Sequence, residues 1–356
     1  MRGTWLVLLA CVACGKVNNN PADGPPPPPG DGTGSDGSGS DAPGAAPTIT
    51  ALTPDWGSSA GGTMVTINGT GFSAAGLAVK FGAVDAVATV VNDTTLTLTA
   101  PSNLIRPVKV TVTTVNGTGT SAIDFRYLAP LYAADGAAGT LGNLYVVDPA
   151  SAASTIVGPI NFAVTGMAIS PDGVLFGATS AGGTAGAPSL ITIDPYTGAG
   201  LLIGPLKTSA GAGAGCSDIV FDGAVLRGWH AKQLATINTT TAIATLAPPT
   251  LATVTGVAGN SIGELGGQFV VSPSKANGTL FKLNIQTGVA TAGPTLSGPA
   301  QSMGAMTRVG PTLFGSVNGV TGGNPPAQLY TVNPNTGAMV LRGNLPLRID
   351  AIAGIP

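Results

Sequence analysis

LYVVDP beginning at Leu144, LITIDP at Leu190, QLATIN at Gln233, LFKLNI at Leu280 and LYTVNP at Leu329 are five versions of one phrase. Each is a short run with β-branched and apolar residues at alternate positions, as in a half-buried strand. Each closes on an Asp or Asn, namely Asp148, Asp194, Asn238, Asn284 and Asn333, and these recur after 46, 44, 46 and 49 residues. That period separates three repeat architectures. Leucine-rich solenoid coils need about 20 to 29 residues, an immunoglobulin-like domain about 100, and a four-stranded propeller blade about 40 to 50. Residues 131–356 accommodate five units of the last kind.

Reading outward from LITIDP recovers one whole unit. VTGMAISPDG from Val164, VLFGATS from Val174, SLITIDPYTG from Ser189 and AGLLIGPL from Ala199 are four strand-like pieces separated by turn residues. The turns have a mechanism: Pro171 and Pro195 preset φ, while Gly173 and Gly198 accept positive φ. The Asp or Asn that closes each phrase is expected to cap its turn with the side chain rather than to bind a ligand. The phase of the repeat also predicts its closure. LYAAD at Leu131 corresponds to the second piece and the terminal IDAIAGIP to the first, so strand Ile349–Gly354 is expected to complete the blade begun by residues 131–160 and to remove exposed sheet edges. The pattern resembles the NHL, YVTN and WD-repeat propellers, without the WD dipeptide. That resemblance implies an architecture and no activity.

Upstream, residues 47–127 read as a different module. PTITALTPDWGSSAGGTMVTINGTGF from Pro47, then VKFG, TLTLTAP, VKVTVTT and NGTGTSAIDFRY, are similar in content and order to the IPT/TIG domains, which are immunoglobulin-like. Independently of that resemblance, Val65 and Ile67 share one strand face, and Val108, Val110 and Val112 alternate into a core. Phe125 and Tyr127 repeat the same two-residue period, and Gly69 and Gly71 permit a bend before Phe72. Some IPT/TIG domains contact DNA. Here Lys80, Arg106, Lys109 and Arg126 are balanced by Asp55, Asp85, Asp93 and Asp124 and form no basic stripe, so no nucleic-acid partner is expected.

The N-terminus resembles a bacterial lipoprotein signal: Arg2, an apolar run from Trp5, then a small residue and a Cys. LLAC ends at Cys11 and CVAC at Cys14. Cys14 leaves the more workable apolar length and is the preferred lipid-attachment residue, with Cys11 the alternative and an ordinary secretory signal a third reading. The run is too short for a permanent spanning helix, which needs about 20 residues. Residues 15–46 hold five consecutive prolines and a Gly/Ser/Asp tract and have too little apolar surface to fold. Their Asp31, Asp36 and Asp41 fall at five-residue spacing, unlike the alternate positions of a calcium loop.

The chain is poor in reactive groups. Charged residues make up 8 %, with 14 basic against 16 acidic, one His and three Cys. His230 and Cys216 cannot assemble a zinc site of usual ligand count. No P-loop or zinc-protease segment occurs, and Glu264 is the only Glu. The expected starts of the five inner strands are Thr165-Gly166, Ser217-Asp218, Thr255-Gly256, Gly304-Ala305 and Asp350-Ala351. Asp218 and Asp350 are therefore weak candidate metal ligands at a channel mouth. They sit one position apart in the repeat frame and supply too few oxygens for calcium. No catalytic residue and no cofactor is assigned.

The sequence thus predicts an all-β protein, an immunoglobulin-like β-sandwich plus a five-bladed β-propeller closed by its C-terminal strand. The expected divisions are a lipoprotein signal at 1–13, a linker at 14–46, an IPT/TIG domain at 47–128 and a propeller at 129–356. The expected role is a non-catalytic cell-envelope lipoprotein, held to a membrane by its lipid, outer membrane or cell surface, and presenting the propeller to a protein or small ligand. A propeller hydrolase or lyase with the IPT domain as spacer, and a structural adhesin, are the alternatives.

Overall fold

The computed structural model describes residues 44–136, 140–181, 185–231, 233–247, 261–319, 326–345 and 348–356. The expected signal, Cys11, Cys14 and nearly all of the expected linker lie outside these residues. Among them the fold is all-β, with no α-helix.

Residues 47–128 build a small sandwich. Strands Thr48–Thr53, Met64–Thr70, Thr95–Thr99 and Ala88–Asn92 form one sheet in that order, and Gly117–Thr120, Val110–Thr114, Ala78–Phe81 and Val84–Ala86 form another. A third, smaller sheet pairs Trp56–Ser58 in parallel with Phe125–Leu128. The alternation read from sequence sorts the faces: Val65, Ile67, Val108, Val110, Val112, Phe125 and Tyr127 are all buried in one core. Phe125 packs edge-to-face on Phe81 at 5.0 Å and on Tyr127 at 4.9 Å, the geometry favoured by ring quadrupoles. The bend before Phe72 needs both glycines. Gly71 has φ +77°, and a Cβ on Gly69 would collide with the Thr48 carbonyl.

Residues 131–356 fold into five sheets, antiparallel except for one strand added to the third. The second sheet shows the plan: Val164–Ile169, Leu175–Thr179, Ser189–Ile193 and Gly200–Pro205 pair in chain order. The fourth (Ile262–Leu265, Gln268–Val271, Thr279–Leu283, Ala290–Thr295) and the fifth (Ser302–Val309, Thr312–Asn318, Gln328–Val332, Met339–Asn344) repeat it. The third runs from Asp218–Asp222 through Val225–His230 and Gln233–Ile237 to Ile243–Leu246, with Lys207–Thr208 added in parallel outside. The first sheet draws on both ends of the region. Leu131–Ala134, Asn143–Val147 and Ser154–Pro159 are joined by Ala351–Gly354, with Leu131 opposite Gly354 and Ala134 opposite Ala351.

The repeated phrase is the third strand of every sheet. In four sheets its pairing with the fourth strand shifts register at the same place, between Leu144 and Tyr145, Leu190 and Ile191, Thr279 and Phe281, and Leu329 and Tyr330. Its terminal Asp or Asn caps the turn. Asp194 Oδ1 accepts from the amides of Tyr196 (2.8 Å) and Thr197 (3.1 Å), and Asn238, Asn284 and Asn333 do the same two and three residues on.

The first strands lie side by side. Val164–Ile169 is flanked by Ala351–Gly354 and Asp218–Asp222, and Ile262–Leu265 lies between Asp218–Asp222 and Ser302–Val309, which in turn meets Ala351–Gly354. Separate apolar clusters fill the spaces between consecutive sheets. Ile160, Met167 and Ala353 belong to one, Ala178 and Ile219 to the next, Trp229 and Phe269 to a third, Val270 and Met306 to a fourth, and Leu131, Phe314 and Ile352 to a fifth that joins the last sheet to the first.

One expected strand start is corrected. Val254-Thr255-Gly256 repeats the text of Val164-Thr165-Gly166, which is why it reads as an inner strand, but the innermost strand of the fourth sheet is Ile262–Leu265. Thr255 and Gly256 themselves lie outside the described residues.

Candidate ligand-binding cleft

Asp218 and Asp350 stand at the beginnings of innermost strands, and each is occupied by protein partners. Asp218 is fully buried. Its Oδ1 accepts from the Ile219 amide at 2.9 Å, and its Oδ2 lies 3.3 Å from the Ile262 amide and 3.5 Å from that of Met306. One carboxyl thereby links three innermost strands. A fourth approaches it closely, because a Cβ on Gly166 would fall 2.5 Å from the Asp218 Cα. Burial pushes the Asp218 carboxyl well above its ordinary value, and the three amide donors oppose that only in part.

Asp350 takes both of its oxygens to Arg348 Nε, at 2.9 and 2.8 Å, and Oδ1 also accepts from Asn318 Nδ2 at 3.2 Å. Asn318 continues onto the backbone of Ile349, donating to its carbonyl at 2.9 Å and accepting from its amide at 3.0 Å. Burial raises the Asp350 carboxyl, and Arg348 works against that. Asp218 and Asp350 share no hydrogen-bond partner. Among the described residues no group of three or more His, Cys, Asp or Glu is arranged to hold a metal ion.

The other two residues singled out by type also have local partners. His230 Nδ1 is 2.7 Å from the Gly215 carbonyl. Cys216 is buried against Gly228, and burial pushes its thiol up to about 12, so it is not a thiolate at neutral pH.

At their opposite ends the same five strands surround a cleft of about 300 Å³. The second sheet contributes Met167 and Ile169, the third Ile219, Phe221 and Asp222, and the fourth Glu264 and Phe269; Thr307 and Arg308 come from the fifth and Gly354 from the first. The walls are mainly apolar, with a few polar groups converging from different elements, as small-molecule sites generally are.

Three charged side chains line this cleft. Asp222 is already paired: its Oδ2 accepts from Arg227 Nη2 at 3.1 Å, while Arg227 Nη1 also donates to Thr236. Glu264 Oε1 accepts from the Gly267 amide across its own hairpin, and Oε2 lies 3.1 Å from Arg308 Nε. Arg308 differs from its neighbours. Its buried Nε is close to Glu264 without hydrogen-bond alignment, and the guanidinium makes no hydrogen bond among the described residues.

The sandwich module docks on the rim. Trp56 Nε1 donates to the Pro171 carbonyl at 2.9 Å, and Arg126 donates to the carbonyls of Asp172 (2.7 Å) and Gly173 (3.2 Å) while holding Asp55 at 3.1 Å. Gly173 has φ +70° and lies flat on the Trp56 ring, where a Cβ would come within 2.5 Å. Pro171 is itself part of the cleft wall. The turn that reads in sequence as simple punctuation therefore carries an interface.

Sequence reasoning missed Asp222 and Arg308 as site residues and noted Glu264 only for its rarity. The available signal was position. Asp222, Glu264 and Arg308 stand at or near the ends of consecutive inner strands, whereas Asp218 and Asp350, the carboxylates prominent in the repeat frame, stand at the starts.

No curated protein sequence matches this chain. Among solved structures, a Bacteroides thetaiotaomicron protein of unknown function aligns at 13% identity with a TM-score of 0.40, over 84% of this chain and 72% of that one. An auxiliary nutrient binding protein from Bacteroides ovatus aligns at 13% identity and TM-score 0.33, over 84% and 71%. A Bacteroides caccae protein of unknown function aligns at 11% identity and TM-score 0.37, over 78% and 98%. The model of the IPT/TIG domain matches residues 47–127. With its sandwich core and the strand order given above, segment 47–127 is an IPT/TIG domain.

Proposed function

We propose that this chain is a non-catalytic, lipid-anchored protein of the bacterial cell envelope, whose residues 129–356 form a five-bladed β-propeller closed by the C-terminal strand and bind a small ligand at one mouth of the ring. The reading of a ring rests on the succession of innermost strands, each flanked by two others, and on the five apolar clusters between consecutive sheets. The reading of a binding role rests chiefly on one observation: all five sheets contribute to a single, mainly apolar cleft with charged groups at its wall. Residues 1–13 act as the lipoprotein signal, Cys14, or alternatively Cys11, carries the lipid, and residues 14–46 hold the folded part away from the membrane. Several acyl chains on one Cys are needed for stable anchoring, since a single chain holds only marginally.

Native mass spectrometry of the full chain, incubated with a panel of small metabolites, tests the binding role. A retained small molecule that disappears when Ile219→Trp fills the cleft supports it; retention unchanged in that variant, or no retention at all, overturns it. The anchor is tested by labelled fatty-acid incorporation in bacteria, which Cys14→Ala should abolish. Incorporation lost only in Cys11→Ala would move the site, and none in the unaltered chain would end the lipoprotein reading.

A further inference from the structure

The polar groups of the cleft differ in what they have left to offer. Both carboxylates are engaged, Asp222 by Arg227 and Glu264 by the Gly267 amide and the nearby Arg308. Thr307 Oγ1 accepts from the Gly354 amide at 2.9 Å. Arg308 alone has a full set of donors and no hydrogen bond among the described residues. A guanidinium carries five N–H groups on separate edges, so it can keep Glu264 beside Nε and still present another edge to a second oxyanion. The unused capacity of the cleft is thus cationic and donating, while its walls at Met167, Ile169, Ile219 and Phe221 are apolar.

Resting on the ligand-binding reading above, we propose that the cleft selects a small monocarboxylic acid with an apolar body, its carboxylate on Arg308 and its chain against those walls. A planar carboxylate suits the fork of the guanidinium, and an apolar tail gains by leaving water. An amine would leave the Arg308 donors unanswered and add a second cation beside them. A neutral alcohol would forgo the charge-assisted bonds.

Isothermal titration calorimetry of the full chain with octanoate, 1-octanol and octylamine tests this. Octanoate is expected to bind at least roughly tenfold more tightly than the other two, a preference of the size that one charge-assisted pair supplies. Arg308→Gln should bring octanoate down to the level of octanol, and Arg308→Lys should keep part of the preference. Equal or tighter binding of octanol or octylamine to the unaltered chain would overturn the acid selectivity and leave the cleft standing as a ligand site. Octanoate binding that Ile219→Trp does not weaken would place the acid elsewhere and overturn the inference. Absence of binding by all three probes would overturn it as well, and would leave the cleft reading to the metabolite panel. The comparison of probes on the unaltered protein decides the matter even if an Arg308 variant folds poorly.

Discussion

The two ends of the innermost strands of residues 131–356 solve opposite problems with the same kinds of residue. At the starts, Asp218 and Asp350 are buried and fully engaged, one by backbone amides from three strands and the other by Arg348 and Asn318. At the ends, Asp222, Glu264 and Arg308 surround open space, and the Arg308 guanidinium makes no hydrogen bond among the described residues. The difference teaches that a carboxylate on an inner strand is not in itself a site. What matters is whether the partners of a charged group are supplied by the fold: at the strand starts they are, at the ends they are for Asp222 and Glu264, and Arg308 is left without a side-chain hydrogen bond among the described residues.

The largest test of this contrast is removal of a whole strand. Deleting residues 349–356 takes away Ala351–Gly354, its packing against Val164–Ile169 and Ser302–Val309, and the Asp350 cluster, so cooperative unfolding should be lost in a calorimetric scan. A normal melt would show that the starts of the strands need no such clasp. Next in size is Asp218→Ala, which strands the buried amides of Ile262 and Met306. It should cost about 3 kcal/mol or more in urea unfolding, since each unsatisfied buried group costs about 1 to 3 kcal/mol. A cost below about 1 kcal/mol would mean that Asp218 does not hold the strands together.

The same residue gives a pH signature. The Asp218 carboxyl is raised in the folded state, chiefly by burial, so the folded protein binds its proton more readily than the unfolded chain. Its contribution is fully present below the unfolded value of 3.8 and is lost as pH rises through the higher folded value. Asp350, raised in the same direction, adds to the trend. Stability should therefore increase as the pH is lowered from neutrality toward the unfolded value, and Asp218→Asn should flatten the increase. A profile unchanged by that substitution would assign the effect elsewhere.

Smaller effects separate the sandwich from the five sheets. Trp56→Ala removes a buried side chain and its bond to Pro171, and should cost about 3 kcal/mol, the lower end for truncating a buried aromatic. More tellingly, it should split one calorimetric transition into two, one for the IPT/TIG domain and one for the five sheets. A single sharp transition would mean that the docking is held elsewhere. Smallest is Glu264→Gln, expected to change stability by less than about 1 kcal/mol because the ion pair with Arg308 is partly exposed and poorly aligned. A loss of several kcal/mol would make this pair part of the framework, like Asp218.

Much of the architecture was legible because it is written locally. The phrase strands, the Asx caps at Asp148 through Asn333, the alternation at Val65 and Ile67 and the pairing of Leu131–Ala134 with Ala351–Gly354 all follow from period, turn chemistry or phase. The fourth inner strand was not legible, since Val254-Thr255-Gly256 copies the wording of Val164-Thr165-Gly166. Nor was the cleft. Asp222, Glu264 and Arg308 are brought together only by the lateral order of separate sheets, and nothing in the spacing of residues tells which end of those strands stays open. Asp218 was noticed for its type, yet its partners at Ile262 and Met306 are contacts of 44 and 88 residues' separation. Such distances leave no mark on a local pattern.

Native-state hydrogen exchange read by mass spectrometry addresses the closure of the five sheets most directly. Amides of Ala351–Gly354 are predicted to exchange as slowly as those of Leu131–Ala134 and Val164–Ile169, through global unfolding alone. Rapid exchange of Ala351–Gly354 while Leu131–Ala134 remains protected would show a frayed terminus beside an open arc, and would contradict the ring.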